Sequence, residues 1–228
     1  MKTSDATRVA PLSETPATTG PSTRREKTRE AILVATAKLL SERSIDGLSV
    51  DDITQASGVA KGTFYNHFPD KDALAVEIGL AVRAQSEIGV STINEGVADA
   101  AMRVARGMCF YAKIALSDPV RASLMAQSVR QDLSADLRGS SGLAGDIALG
   151  ISSGRLRVAT RDSATTFVVG AGAALLLRLL AERNHTTGVM FAQQIVALTL
   201  RGLGLEAEEA DQVAAQAADQ VIQTGVAG

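Results

Sequence analysis

The sequence predicts an all-α fold, and three observations support this prediction. Hydrophobic residues make up 46% of the 228 residues, which is enough to build a buried core. Aromatic residues contribute only 3% of the chain, so alanine and leucine supply most of the apolar surface. Runs of alternating β-branched residues are scarce, and apolar residues recur at the spacing of amphipathic helices. We expect one small domain, one larger domain and no sheet.

The first predicted boundary follows residue 22. Residues 1–22 are rich in Thr, Ser, Pro and Gly, and a disordered tail is expected there because few large apolar side chains are present. Over about 23–42 the apolar residues return at helical spacing, and Gly47 then interrupts the pattern. Basic residues cluster at the start of this helix, where each is more often part of a solvated face than of a DNA-binding arm: Arg24, Arg25, Lys27 and Arg29.

Two short helices are predicted next. Ser49 and Asp52 have the spacing of a capping box, in which hydroxyl and carboxylate each bind the other residue's backbone amide at a helix start. Gly58 is the residue best able to adopt the left-handed conformation that ends a helix and reverses the chain. The next helix is expected over about 60–68, because Pro69 cannot continue it. Two short helices joined in this way have the size of a helix-turn-helix.

The second of these helices has an apolar face and a polar face. Phe64 and Phe68 are one turn apart and are expected to bury against the first two helices. The other side chains then suit a DNA surface, since lysine and threonine can contact base edges and tyrosine, histidine and lysine can hold phosphates. These candidates are Lys61, Gly62, Thr63, Tyr65, Asn66, His67 and Lys71. In an arbitrary helical protein most of them would be solvated side chains, and His67 would equally suit a core position or a helix cap.

The segment SVDDITQASGVAKGTFYNHFPDKDAL, from Ser49 to Leu74, resembles the DNA-binding segment of the tetracycline-repressor (TetR) family of transcription regulators. With the first helix, the resemblance covers about residues 25–80. It implies a three-helix helix-turn-helix DNA-binding domain over 23–74 and a larger helical ligand-binding and dimerisation domain over 75–228. Lys61, Gly62 and Thr63 would face the major groove, and Ser49 would contact the DNA backbone from the flank.

Beyond residue 70 the sequence predicts further helices but carries no second motif. They are expected from Asp70 to about 80 and then at about 94–116, 119–129, 133–152, 162–183, 189–203 and 206–223. The run over 167–177 has no polar interruption, so the helix over 162–183 is expected to be buried nearly all round. It is either the core helix of a monomer or part of a two-fold dimer interface. The resemblance favours a homodimer, whose two recognition helices would fit a palindromic operator.

A ligand cavity is a weaker expectation. Methionines adapt to varied shapes and aromatic rings supply contact area, so these side chains suit a pocket and equally suit a core: Met102, Phe110, Tyr111, Met125 and Phe167. The resemblance implies a repressor that a small molecule of unknown identity releases from double-stranded DNA. Control by a protein partner, or by no ligand, stays open, and a body without an enclosed cavity would favour it.

Several function classes find little support. The two histidines, His67 and His185, lie far apart, and no phosphate loop, nucleophile elbow or metal-ligand spacing is present, so an all-α enzyme is a remote alternative. We expect no cofactor and no metal. The single Cys109 indicates a reducing compartment, and with no signal peptide and an apolar run shorter than about 20 residues we expect a cytoplasmic protein without a membrane span. A net charge of -2 means that DNA binding must rest on local residues.

Overall fold

The computed structural model describes residues 23–40, 43, 45–132, 141–182 and 184–223. These residues form ten α-helices and contain no strand, which confirms the all-α expectation. They fall into two compact units, one ending at Lys71 and the other beginning at Asp72. The tail expected over 1–22 lies outside the described residues, and the domain boundary expected after residue 74 stays a prediction.

The first unit contains three helices around a small apolar core. They are α1 (Arg24–Leu40), α2 (Val50–Ser57) and α3 (Lys61–Tyr65), with a 3₁₀ turn at Ile45–Gly47 between the first two. Helix α2 packs against both α1 and α3. The largest side chains of this core are at most 2% exposed, and they are Ile32, Leu40, Ile53, Phe64 and Phe68. Phe64 on α3 and Phe68 just after it are both buried, which confirms the burial predicted from their spacing.

Local hydrogen bonds set the limits of α2. The Ser49 hydroxyl accepts the Asp52 amide hydrogen bond at 3.1 Å, and the Ser49 amide donates to the Asp52 carboxylate at 2.9 Å, so the capping box is confirmed. At the other end Gly58 has φ 69° and ψ 23°, the left-handed conformation that its position predicted. The turn of the predicted helix-turn-helix is therefore built as expected.

Helix α3 is shorter than the expected span of 60–68. After Tyr65 the amides of His67 and Phe68 both donate to the Phe64 carbonyl at 2.9 Å, which tightens the chain into turns before Pro69. The prediction placed the end of the helix at the proline, whereas the regular α-helix ends at Tyr65 and a mixture of i−3 and i−4 hydrogen bonds continues to Phe68.

The second unit contains the remaining described helices, with only Lys71, at the start of the first of them, belonging to the first unit. Helix α4 (Lys71–Ile93) leads into it and is followed by α5 (Ala100–Ser117), α6 (Pro119–Asp132), α7 (Ser141–Ser152), α8 (Arg161–Leu180), α9 (His185–Gly202) and α10 (Ala207–Ala218), with a π turn at Asp219–Gln223. Helix α5 contacts each of the helices α6 to α10 and is the centre of the unit. Cys109 lies on α5 with 0% exposure, and this burial raises the pKa of its thiol to about 12.

Helix α5 begins later than the expected residue 94. The Asp99 carboxylate accepts the Ala101 amide hydrogen bond at 3.2 Å and caps the helix there. The chain before the cap includes Gly96, whose φ of 75° is incompatible with a continuous right-handed helix. The apolar pattern alone did not locate this break.

Helix α8 corrects the expectation of a helix buried nearly all round. Within one chain it buries Val168 and Leu175 but leaves Phe167 46% and Leu177 57% exposed. An uninterrupted apolar run has no polar stripe to mark the outer face, so the sequence could not show which side would be covered. The neighbouring α9 also exposes apolar side chains, among them Met190 and Leu198, each 56% exposed.

Among the described residues, α8 is the one helix that is long and apolar enough to cross a membrane by length and composition. A core helix of a soluble protein meets the same criterion. Here α8 packs against α5, α6, α7 and α9.

Candidate functional site

The outer side of α3 forms an exposed surface over a rigid base. We define the α3 surface as Lys61, Gly62, Thr63, Tyr65 and Asn66. The Tyr65 side chain is 50% exposed, and its ring stands edge-on to Phe64 at a centroid distance of 5.4 Å. Phe64 is completely buried, so the tyrosine projects from a fixed aromatic base. A Cβ added at Gly62 would meet no atom within 4 Å, so the backbone of the α3 surface is open to a partner.

Lys61 is held in place by an exposed ion pair. Its ammonium nitrogen lies 2.8 Å from the Asp51 carboxylate in the first turn of α2. This hydrogen bond, with the attraction of the Asp51 charge, raises the pKa of Lys61 above its ordinary value. The lysine is therefore fully charged at neutral pH, and Asp51 competes for it with any other anionic partner.

Ser49 is engaged in the cap of α2. Besides accepting the Asp52 amide hydrogen bond, its hydroxyl donates to the Asp52 carboxylate at 2.7 Å. The side-chain and backbone hydrogen bonds from Ser49 lower the pKa of Asp52, and Arg43 at 3.8 Å adds a smaller effect in the same direction. Ser49 itself is exposed, so its backbone stays accessible from the flank of α2.

Lys71 and His67 have contacts within the first unit. The Lys71 ammonium donates to the carbonyls of Ile45, Asp46 and Leu48 at 3.2, 3.4 and 3.1 Å, so it ties the 3₁₀ turn before α2 to the start of α4. His67 is half-buried, with its ring 6.5 Å from the ring of Phe68. Both residues thus help to shape the unit, and a phosphate contact by either stays a prediction.

A cavity of about 160 Å³ lies in the second unit, and we refer to it as the cavity. Its walls come from α4, α5, α6, α7 and α8, together with Asn94 just after α4. Most of the lining surface is apolar, and it includes Val90, Val104, Met108, Met125, Val168 and Leu176.

Charged groups in the cavity wall are paired or balanced. Arg103 contacts the Asp146 carboxylate through its Nε at 2.5 Å, and burial raises the pKa of Asp146 while Arg103 opposes that rise. The Tyr111 hydroxyl donates to the Glu87 carboxylate, and burial followed by the Glu87 charge raises the pKa of Tyr111. With Arg83 also in the wall, two arginines face two carboxylates.

Asn94 is a polar group in the cavity wall with a buried, unpartnered atom. It is 1% exposed, and its side-chain nitrogen donates to the Arg103 carbonyl at 3.1 Å. This contact fixes the orientation of the amide, because the reverse orientation would press two oxygens together. The side-chain oxygen then has no hydrogen-bond partner in the part of the chain that the structure describes.

Residues 32–78 match the model of the bacterial regulatory proteins of the tetR family. The match begins in α1, includes the capped α2 and the whole α3 surface, and ends in α4. Residues 32–78 are therefore a tetR-family segment.

Curated relatives match the chain mainly through the first unit. The HTH-type transcriptional regulator EthR of Mycobacterium tuberculosis strain H37Rv is 36% identical over 72 residues, which are 31% of this chain and 33% of EthR. The chain thus spans about a third of the length of the curated relatives it matches. The tetR-family resemblance seen in the sequence is confirmed at this level.

Solved structures extend the likeness to the fold of most of the chain. RolR in complex with its ligand resorcinol covers 85% of this chain and 95% of its own, at a TM-score of 0.70 and 24% identity. A TetR-family transcriptional regulator from Pectobacterium atrosepticum covers 81% and 99%, at a TM-score of 0.65 and 22% identity. At these identities the likeness establishes the fold.

The residues expected to line a pocket are found in different places. Tyr111 and Met125 lie in the cavity wall, whereas Met102, Phe110 and Phe167 are absent from it. Met102 and Phe110 are half-buried on α5, and Phe167 is on the exposed side of α8, where its ring lies close to Gly202. Whether any of the five contacts a ligand stays a prediction.

The polar residues of the cavity were missed by the sequence analysis. One signal was available, because Asp146 is a lone charge inside the apolar helix α7 and a buried charge needs a partner. Its partner Arg103 lies 43 positions away, and sequence spacing gives no sign of that pair. In the described ranges, no group of three His, Cys, Asp or Glu side chains is arranged to hold a metal ion.

Proposed function

We propose that this chain is a sequence-specific DNA-binding transcription regulator of the cytoplasm, a repressor that a small molecule releases from a palindromic operator. The observation that carries the proposal is the α3 surface. This surface exposes Tyr65 above the fully buried Phe64, and it is part of the segment that matches the tetR-family model. The name of EthR as an HTH-type transcriptional regulator supports the same function.

In this proposal α3 enters the major groove. Lys61, Gly62 and Thr63 lie at the N-terminal end of α3 and read base edges, where the bare backbone of Gly62 permits close approach. Tyr65, Asn66, His67 and Lys71 contact phosphates or the edge of the groove, and Ser49 contacts the DNA backbone from α2. The Lys61 ammonium leaves Asp51 when it binds DNA, so the ion pair is a competitor that operator binding must displace.

A homodimer supplies the second recognition helix. Helix α8 exposes Phe167 and Leu177, which lie ten positions apart and about 80° apart around the helix, so they share one broad face. Helix α9 exposes Met190 and Leu198, eight positions apart on its own stripe. Packing these faces against a second copy would remove large apolar side chains from water, which favours a two-fold arrangement.

The cavity favours a small-molecule effector over a protein partner. A body without an enclosed space would have suited control by a protein, whereas this unit contains a largely apolar cavity of about 160 Å³. RolR, which has the same fold, is complexed with the small molecule resorcinol. Helix α4 begins at Lys71 and later contributes Arg83 and Glu87 to the cavity, so a ligand that shifts α4 would change the population of the DNA-competent state.

The proposal is tested by titrating purified protein with DNA from around its own gene and with a randomised DNA pool, at several salt concentrations. Lys61→Ala and Tyr65→Ala are expected to lose specific binding. Arg161→Ala removes an exposed charge on α8 and serves as the matched control, with binding unchanged.

Footprinted palindromic binding that is lost in both α3 variants and kept in the control would support the proposal. Absence of binding to both DNA sources by a folded protein would overturn it. The small-molecule part is tested separately, because operator affinity that stays the same with a saturating ligand bound in the cavity would remove the release mechanism.

A further inference from the structure

We infer that the cavity binds a neutral phenol, a single aromatic ring with a hydroxyl group, and that the side-chain oxygen of Asn94 accepts the hydrogen bond from that hydroxyl. The inference deepens the proposed effector site and rests on the proposed function for its regulatory meaning. Size, charge, hydrogen bonding and wall chemistry each limit the ligand independently.

The volume of the cavity sets the size of the ligand. The cavity measures about 160 Å³. An apolar cavity of about 150 Å³ engineered into another protein holds one benzene molecule. One six-membered ring with one or two small substituents therefore fits the space.

The charges of the wall favour a neutral ligand. Arg103 is already paired with Asp146, and Glu87 already accepts the Tyr111 hydrogen bond. An anionic ligand would have to compete with these carboxylates for the arginines. A cation would leave its own charge in a largely apolar space, at a considerable desolvation cost.

The unused atom in the wall requires a donor. Asn94 is 1% exposed, and its side-chain oxygen has no partner within the described residues. The Arg103 carbonyl already binds the nitrogen of this amide, so the free atom is an acceptor. A buried acceptor is stabilised by a hydroxyl hydrogen and gains nothing from an ether or a methyl group.

The wall also favours an aromatic ring over an aliphatic one. Met108 and Met125 both line the cavity, and thioether sulfur atoms make favourable contacts with aromatic rings. Gly172 on α8 lines the same space, and a Cβ added there would meet no atom within 4 Å. This position therefore gives a way to fill the cavity without an initial clash.

The test is isothermal titration calorimetry of the full chain, without DNA, using probes of matched size. Phenol and resorcinol carry the donor, and toluene and anisole lack it. Cyclohexanol keeps the hydroxyl without the aromatic ring. Phenol is expected to bind about tenfold more tightly than toluene or anisole, the value of one good hydrogen bond, and more tightly than cyclohexanol.

Variants locate the probe. Asn94→Leu is expected to bring the ratio of phenol to toluene affinity close to one, a change that a general loss of stability would not produce. Gly172→Val is expected to weaken phenol binding at least tenfold by filling the cavity. Gly145→Val makes the same change on the exposed side of α7, away from the cavity wall, and is expected to leave phenol binding unchanged.

Equal affinity for phenol and toluene, equal affinity for phenol and cyclohexanol, no phenol binding, or binding unchanged in Gly172→Val would each overturn the inference. The calorimetry contains no DNA, so its outcome is independent of the operator titration. A protein that binds phenol in this way but binds no operator would keep the inference and lose the proposed function.

Discussion

The same substitution at two nearby glycines of the first unit is expected to have opposite effects on stability. Gly58 has a φ of 69°, and alanine in this left-handed conformation costs about 1–2 kcal/mol. Gly62 lies within α3 with a φ outside that region, and alanine in a helix is favoured over glycine by about 0.5–1 kcal/mol. A new Cβ would meet no atom within 4 Å at either position, so the steric contribution is the same for both.

The free energies of unfolding of Gly58→Ala and Gly62→Ala are therefore expected to differ by about 2 kcal/mol. Because the chain has two compact units, a single global transition would mix their stabilities. Hydrogen exchange of the α2 and α3 amides, followed by mass spectrometry, reports the first unit directly. If Gly58→Ala exchanges no faster than the parent, backbone strain does not decide the stability of this turn.

DNA binding adds a second readout for this pair. Gly62→Ala is expected to stabilise the unit while weakening operator binding, because its methyl group would stand on the α3 surface, whose backbone we propose to approach the groove closely. Gly58→Ala is expected to weaken binding only to the extent that it unfolds the unit. Operator affinity of Gly62→Ala equal to or above that of the parent would refute the close approach.

Three further predictions follow from the contacts described above. Asp51→Asn removes the carboxylate that pairs with Lys61, so the proposed DNA contact of Lys61 predicts operator binding that is about 2- to 5-fold stronger at low salt in an anisotropy titration; weaker binding would contradict this reasoning. Leu177→Glu places a charge on the exposed side of α8 and is expected to shift the protein from dimer to monomer in light scattering, whereas Ile88→Glu, at a site 64% exposed on α4, leaves the dimer intact. Ser49→Ala is expected to lower the free energy of unfolding by about 1 kcal/mol at neutral pH. The pKa of Asp52 is lowered by folding, so the stabilisation that Ser49 provides through Asp52 is present above the ordinary pKa of 3.8. This stabilisation is lost as the pH falls through the lower pKa of the folded state. Urea titrations should therefore show that Ser49→Ala changes the free energy of unfolding less in acid than at neutral pH.

The helix-turn-helix could be predicted because its signals are local. The capping box of Ser49 and Asp52 is only three residues long, Gly58 needs no partner to adopt its conformation, and Phe64 and Phe68 share one face by spacing alone. Each of these features is decided by neighbours within about one turn of helix. For this reason the sequence and the structure agree most closely in the first unit.

The cavity could not be predicted in the same way, because its polar wall is assembled from distant parts of the chain. Tyr111 reaches Glu87 across 24 positions, and Asn94 acquires its unused oxygen only because the Arg103 carbonyl occupies its nitrogen. The composition of α8 shows that the helix is apolar but not which of its sides is covered by the same chain. The pocket prediction, which rested on aromatic and methionine side chains alone, therefore included three residues outside the cavity wall and two inside it.

The burial of Cys109 makes its thiol an internal reporter of the opening of the second unit. The thiol is the only one in the chain, lies at the centre of the second unit, and has a pKa of about 12, so it is protonated and inaccessible in the native state. A thiol-specific reagent can modify it only in molecules that have opened, which makes the labelling rate a measure of the opening equilibrium. A ligand that binds the closed form would slow labelling by a factor of one plus the ratio of free ligand to its dissociation constant. The wild-type sequence thus permits candidate effectors to be ranked without a dye, a tag or knowledge of the operator.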